Sequence, residues 1–133
     1  MTRTIDTALV TDLLARQNQA IDEGDAAGWA ATYTPDGSFH SPTYGDAVVG
    51  TDALVRFAGT VHAGFVAGGI QQRHWLNNVM VDAAAGTARS YLMIVRIVGD
   101  AAPTIVRHVV ATDEFAFHDG ELKVRSRVIR RDG

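Results

Sequence analysis

The stretch Gln71–Asp82, QQRHWLNNVMVD, is typical of a β-strand that begins with polar and ionisable groups and ends with apolar ones. Side chains alternate between the two faces of a strand, so one face is predicted to carry Gln72, His74, Leu76, Asn78 and Met80. The other face is predicted to carry Trp75, Asn77, Val79 and Val81. The first face changes from polar to apolar along the strand, as expected of the wall of a ligand pocket.

Three more strand-like stretches follow, each rich in Val, Ile, Thr and aromatic residues: Thr87–Val98, Thr104–Phe117 and Glu121–Arg130. Short turns connect them, with Gly or Pro in every turn. Parallel pairing would need crossovers of roughly a dozen residues or more. The second half of the chain is therefore predicted to be an antiparallel meander of four strands.

The first half is predicted to be mainly helical. Apolar residues recur at helical spacing from Ile5 to Glu23, and Gly24 follows as a stop signal. A short second helix, capped by Asp25, is predicted to carry Trp29 and Tyr33 and to end at a turn at Pro35–Gly37.

Two short strands are predicted at Ser38–Ser41 and Ala47–Val49. A third helix begins at the capping residue Thr51, and a flexible connector follows it at Gly64–Gly69. Helices first and strands afterwards predict an α+β protein whose helices cover one face of a curved sheet.

Composition narrows the class of protein. The 133 residues are 47% hydrophobic and 20% charged, without a run of eighteen apolar positions, which predicts a single domain over residues 1–133 and no membrane partner. The absence of a hydrophobic signal core leads us to expect a cytoplasmic protein. Without cysteine there are no disulfides or thiol nucleophiles. A net charge of -3 argues against a nucleic-acid partner.

Five strings occur in a characteristic order: AIDEGD, WAATYTPDGSF, VVGTDAL, RHWLNN and FHDGELKVRSR. In this order and spacing they resemble the SnoaL-like family of the nuclear transport factor 2-like superfamily, over nearly the whole chain. The resemblance implies a cone-shaped barrel in which a strongly curved, mostly antiparallel sheet and three N-terminal helices enclose an apolar pocket. Relatives include polyketide cyclases, ketosteroid isomerases, scytalone dehydratase, limonene epoxide hydrolase and hexachlorocyclohexane dehydrochlorinase, and the fold does not choose among these reactions.

The resemblance also implies a catalytic pair. Dehydrochlorinase and dehydratase relatives carry their catalytic histidine on the strand that contains RHWLNN, at the position of His74. They pair it with an aspartate near the end of the first long helix, which corresponds to Asp22. A neutral imidazole is a suitable base near neutral pH, and a carboxylate bonded to its other nitrogen orients it.

A third catalytic residue, Arg127, is implied by the same resemblance and would receive developing negative charge. Strand alternation disagrees, because an apolar face formed by Leu122, Val124, Ser126 and Val128 excludes Arg127. A β-bulge would remove the conflict, and so would burial of both faces of the strand.

The expected substrate-binding residues are Gln72, Leu76 and Asn78 from the His74 face, together with Tyr33, Phe39, Phe57, Met93 and His108. Alternation does not decide whether His108 or its neighbour Arg107 faces inward. The histidines at positions 40, 62 and 118 are expected at the surface. No metal-binding spacing is present among the five histidines, so a metal is not expected. Proton abstraction by a His–Asp pair requires no cofactor, and none is expected.

The sequence therefore predicts a cofactor-independent lyase, isomerase or cyclase acting on a small, mostly apolar carbonyl or ring compound. His74 would remove a proton from carbon, the first step shared by elimination, isomerisation and aldol-type ring closure. The alternative is a non-catalytic small-molecule-binding or dimerisation module of the same fold. A homodimer is expected because the outer face of the meander is predicted to expose Trp75, Val79 and Val81.

Overall fold

A computed structural model describes residues 3–132 of the chain. This part contains three helices and six strands, in the order α1 (Thr7–Glu23), α2 (Ala26–Ala31), β1 (Tyr33–His40), β2 (Val48–Val49), α3 (Thr51–Ala67), β3 (Ile70–Asp82), β4 (Thr87–Val98), β5 (Thr104–His118) and β6 (Glu121–Arg131). None of the helices within residues 3–132 is long and apolar enough to cross a membrane.

All six strands join in one sheet, in the order β2-β1-β6-β5-β4-β3. Neighbouring strands are antiparallel except for β1 and β6, which run parallel. The expected α+β cone with three helices before the long strands is confirmed. The sheet is curled but not closed into a barrel, because β2 and β3 remain as its edges.

Helix α1 ends where its local sequence predicts. The Asp6 carboxylate accepts a hydrogen bond from the Leu9 amide at 2.8 Å and so caps the first turn. At the other end, Gly24 has a left-handed backbone with φ of 79°. A Cβ atom on Gly24 would collide with the ring of His62, so a larger residue here would displace that side chain. The helix begins at Thr7, two residues later than predicted, and Ile5 is buried before it.

The aromatic helix α2 is shorter than predicted. It ends at Ala31, so Tyr33 is the first residue of β1 and does not belong to a helix. The segment Pro35–Gly37 lies inside β1, where pairing with β6 shifts between Tyr33 and Ser38. The turn-forming residues therefore make an irregularity within a strand.

Helix α3 differs from the prediction at both ends. Gly50, with φ of 89°, occupies the cap position without a side-chain hydrogen bond, and Thr51 is already helical. The helix continues to Ala67, so most of the predicted flexible connector is helical as well.

A β-bulge in β3 corrects the predicted faces of this strand. Pairing with β4 shifts between Asn77 and Met80, and Asn78 has a left-handed backbone with φ of 53°, which asparagine tolerates better than most residues. Beyond the bulge the alternation is inverted. Met80 is 67% exposed, whereas Val79 and Val81 pack against the core.

A second bulge lies in β6 and resolves the conflict over Arg127. Glu114 pairs with Ser126 and Phe115 with Val124, which leaves Arg125 as the extra residue. Leu122 and Val124 therefore face inward before the bulge, and Arg127 and Ile129 are buried after it.

Candidate active site

A cavity lies between the inner face of the sheet and the three helices. Aromatic and aliphatic side chains form most of its wall: Ile21, Trp29, Tyr33, Phe39, Tyr44, Phe57, Val61, Phe65, Ile70, Leu92, Ile94, Val109 and Ile129. Polar side chains complete it: Gln17, Asn18, Asp22, Ser41, His62, Gln71, Gln72, His74, Arg107 and Arg127. An apolar wall with a few convergent polar groups is typical of a small-molecule site.

His74 and Asp22 form a hydrogen-bonded pair in this wall. Nδ1 of His74 lies 2.5 Å from Oδ1 of Asp22, and the backbone amide of His74 donates to Oδ2 of Asp22 at 3.0 Å. The Asp22 side chain is 5% exposed and the imidazole 19% exposed. Both carboxylate oxygens are thus engaged by the same residue, which holds the ring in one orientation.

The end of α1 is tied to β3 by a further contact. The Gln71 side-chain amide donates to the backbone carbonyl oxygens of Asp22 at 3.1 Å and of Gln72 at 2.8 Å. Carbonyls in the last turn of a helix lack an intrahelical partner, and the Gln71 side chain supplies one for Asp22. The backbone amide of His74, on edge strand β3, is free to donate to the Asp22 carboxylate. These complementary groups fix the position of Asp22 relative to His74.

A second polar group lies elsewhere in the wall, where β1, β5 and β6 meet. Nη1 of Arg127 donates to both carboxylate oxygens of Asp113, at 3.2 and 3.1 Å. Nη2 of Arg127 and the Tyr33 hydroxyl are buried and have no hydrogen-bond partner among residues 3–132. Both residues line the cavity, and a buried donor without a partner is unusual enough to require an explanation.

Burial governs the protonation of this group. Burial raises the pKa of the Tyr33 hydroxyl, against the nearby positive charge of Arg127, so Tyr33 remains a donor. Burial also raises the pKa of Asp113, which the charge and hydrogen bonds of Arg127 oppose.

Aromatic rings in mutual contact form the apolar part of the cavity. The ring centre of Trp29 lies 5.1 Å from that of Tyr33 and 5.6 Å from that of Phe39, and both pairs have edge-to-face geometry. The ring centre of Phe57 lies 5.5 Å from that of Phe39 and 4.9 Å from that of Tyr44. Edge-to-face pairs of this kind are favourable, and they give the cavity a large apolar surface.

The structure places four of the eight predicted substrate-binding residues in the wall of the cavity: Tyr33, Phe39, Phe57 and Gln72. The three predicted catalytic residues lie there as well: Asp22, His74 and Arg127. Their roles in binding or chemistry stay predictions.

Four predicted substrate-binding residues do not line the cavity. Asn78 is exposed because of the β3 bulge, and Leu76 packs against the core. Met93 and His108 pair with each other on the outer face of the sheet, since the inner face of β4 is formed by Leu92 and Ile94. Nδ1 of His108 lies 3.0 Å from the Asp132 carboxylate at the surface.

Sequence reasoning left out several lining residues. Arg107, which alternation left undecided against His108, is the one that faces inward. His62 was expected at the surface, yet it lines the cavity with Phe65. The signal for His62 and Phe65 was present in the sequence, because the apolar stripe from Leu54 and Ala58 continues along α3 at helical spacing to these two positions.

Within the described part of the chain, no group of three or more His, Asp or Glu side chains is placed to hold a metal ion.

The chain matches a family model described as a SnoaL-like domain, over residues 2–128. No functionally curated protein matches the sequence.

Solved structures provide a second comparison. ActVI-ORFA from Streptomyces coelicolor is 31% identical, with a TM-score of 0.83 over 96% of this chain and 98% of that one. A Catenulispora acidiphila protein in complex with S-DNPA is 28% identical, with a TM-score of 0.80 over 94% of this chain and 92% of that one. A protein from Novosphingobium aromaticivorans, described as NTF2-like with a cystatin-like fold, has 20% identity and a TM-score of 0.78 over 95% of this chain and 81% of that one. The last likeness concerns the fold alone.

Proposed function

This chain belongs to the SnoaL-like domain family, and we propose that it is a cofactor-independent lyase, isomerase or cyclase acting on a small, mostly apolar carbonyl or ring compound. In this proposal His74 removes a proton from carbon and Asp22 orients it. The observation that carries the proposal is the contact between Nδ1 of His74 and the buried Asp22 carboxylate in a mostly apolar cavity.

The hydrogen-bond pattern supports Nε2 as the proton acceptor. An ionised carboxylate only accepts hydrogen bonds, so the neutral imidazole must carry its proton on Nδ1 when it bonds to Asp22. The lone pair then lies on Nε2. A base held in this tautomer needs no rearrangement before it accepts a substrate proton.

Proton transfer would leave a positive charge on His74 and a negative charge on the substrate. The Asp22 carboxylate stabilises the imidazolium directly. We propose that the substrate charge develops on a carbonyl oxygen, which accepts hydrogen bonds from the Tyr33 hydroxyl and Nη2 of Arg127. Both donors are buried without a partner among residues 3–132, and a buried donor aimed at developing charge is effective in catalysis.

The comparison structures support a small-molecule ligand, since the Catenulispora relative was solved in complex with S-DNPA. The aromatic side chains in the wall of the cavity support a ring compound. These observations do not favour one of the three reactions, because each begins with the same proton abstraction.

We also propose that the protein is a homodimer that pairs through the outer face of the sheet. Trp75 is 63% exposed on this face, Ile105 is 65% exposed, and Tyr91 is 41% exposed. Apolar patches of this kind are usually covered in soluble proteins, and most homo-oligomers are two-fold dimers.

The test follows the first chemical step directly and so does not require the natural substrate. A panel of ring ketones with an acidic C–H bond, beginning with 2-tetralone, is incubated with the protein in D2O, and deuterium incorporation is followed by NMR. We expect catalysed exchange above the buffer rate with the wild type and none with His74→Ala. A matched control, His118→Gln, changes an exposed histidine in the β5–β6 turn region and should exchange like the wild type.

Each result has a defined meaning. Exchange in the wild type that persists in His74→Ala would remove His74 as the base. Ketones that raise the melting temperature of the wild type without any exchange would indicate the non-catalytic binding module instead.

A further inference from the structure

We infer that the substrate carries a carboxylate, which Arg107 binds at the end of the cavity near the β4–β5 turn. The inference rests on the proposed function, because it identifies the substrate class of the same cavity. Its support comes from the register of three strands and from the distribution of charge around the cavity.

The sheet register aligns Arg107 with the proposed base. His74 of β3 pairs with Ile94 of β4, and Ile94 pairs with Arg107 of β5. Paired residues point to the same face of a sheet, so the three side chains form one row across the inner face. Adjacent strands are roughly 4.8 Å apart, which separates the backbones of His74 and Arg107 by about 10 Å. Apolar Ile94 lies between the base and the guanidinium.

A third bulge accompanies this placement. The pairing of β4 with β5 shifts between Ile94 and Val95, because Ile94 pairs with Arg107 but Val95 pairs with Ile105. Val106 is the extra residue. Bulges are frequent next to ligand sites because they redirect side chains.

The positive charge of Arg107 is not balanced by an acidic side chain in the described part of the chain. Arg107 has no hydrogen-bond or ion-pair partner among residues 3–132. Arg96 follows Ile94 by two residues in β4 and so lies on the same face of the sheet. It donates from Nε and Nη2 to Oε1 of the neutral Gln72, at 3.0 and 2.8 Å. Its guanidinium lies 5.9 Å from the centre of the Phe65 ring. Neither arginine has a carboxylate partner in the described chain.

The contrast with the other arginine of the cavity is informative. Arg127 is neutralised by Asp113, whereas Arg107 meets no acidic side chain in the wall. The only acidic residue among the described lining residues is Asp22, which is engaged by His74. A chain with a net charge of -3 thus has a local excess of positive charge at this end of its cavity. A guanidinium presents paired donors that match a carboxylate in geometry and charge.

The proposed ligand therefore has an apolar ring system between two polar ends. Its acidic C–H group lies at His74, and its carboxylate lies at Arg107 across Ile94.

The experiment compares charged and neutral ligands of the same shape. Benzoate, 2-naphthoate and anthracene-2-carboxylate are each titrated against the corresponding primary amide by isothermal calorimetry. In the wild type we expect at least one carboxylate to bind roughly 10-fold or more tightly than its amide, since hydrogen bonds to charged groups are the strong ones. The preference should shrink as salt is added.

Two variants assign the preference to its residue. Arg107→Gln should weaken carboxylate binding roughly 10- to 100-fold and leave amide binding within about 2-fold. The control Arg56→Gln removes an exposed arginine from α3 and should retain the wild-type preference.

The proposal is wrong if no carboxylate of the panel binds the wild type more tightly than its amide. It is also wrong if Arg107→Gln weakens both ligands equally, or if Arg56→Gln has the same effect. If Arg107→Gln does not fold, Arg107→Met takes its place, with the same expected results. These outcomes are distinct from failure of the proposed chemistry, because binding is measured without turnover. An inert His74 would abolish deuterium exchange and leave the carboxylate preference in place.

Discussion

Replacing the Asp22 carboxylate by an amide of the same shape is the sharpest test of the paired residues. The carboxylate accepts two hydrogen bonds from His74, one from the ring and one from the backbone. An asparagine side chain has only one acceptor oxygen and places an NH2 group at the other position. If its oxygen keeps the backbone amide of His74, the NH2 group faces Nδ1, which must then become the acceptor. The imidazole proton moves to Nε2, the atom that has to take the proton from the substrate.

The opposite orientation of the amide does not rescue the site. Its oxygen would accept from the ring, but its NH2 group would oppose the backbone amide of His74, and two donors cannot bond to each other. Asp22→Asn also removes the negative charge that stabilises the imidazolium. We expect a loss in exchange rate of roughly 10⁴-fold, as for the analogous change in a serine protease triad, which corresponds to about 5 kcal/mol in activation free energy.

Deuterium incorporation into the best ketone of the panel measures this effect, with protein concentration raised to detect slow exchange. Asp6→Asn is the matched control, because Asp6 caps the start of the same helix and asparagine caps equally well. Circular dichroism and thermal melting check that both variants fold. A folded Asp22→Asn protein that exchanges within tenfold of the wild type would refute the orienting role of Asp22.

Three further outcomes are expected. Tyr33→Phe should lower the exchange rate roughly 10²-fold or more without loss of stability, since it removes a buried hydroxyl that has no partner among residues 3–132; an unchanged rate would exclude the hydroxyl from the site. Arg127→Met should reduce the free energy of unfolding in urea by about 3–5 kcal/mol at neutral pH, because it leaves the Asp113 carboxylate buried and unpaired. Burial already raises the pKa of Asp113, and loss of Arg127 raises it further, so the folded variant holds a proton that the unfolded chain releases. The stability of the variant should therefore fall as pH rises above the ordinary aspartate range. An equal loss of unfolding free energy near about pH 5 and about pH 8 would contradict this reasoning. Trp75→Glu should convert the proposed dimer into a single chain in light scattering, and a wild type that is already a single chain at micromolar concentration would eliminate the dimer.

Local patterns in the sequence were sufficient for the order of elements and the class of fold. Helical spacing and the Gly24 stop identify α1, and short turns identify the antiparallel meander from β3 to β6. Each of these signals acts within a few residues, so it does not depend on contacts with distant parts of the chain. Family resemblance, carried by short strings such as RHWLNN, added His74 and Asp22 as candidates.

Only the tertiary structure decided which side chains meet in the cavity. Alternation along a strand has a period of two, so one extra residue reverses every face assignment beyond it. Bulges at Asn78, Val106 and Arg125 interrupt three of the four long strands, and each is defined by a shift in the pairing with a neighbouring strand. The bulge at Arg125 turns Arg127 toward Asp113, and the bulge at Asn78 turns Met80 outward. The contact between His74 and Asp22 likewise joins residues 52 positions apart, and packing of α1 against β3 creates it, which no local period in the sequence encodes.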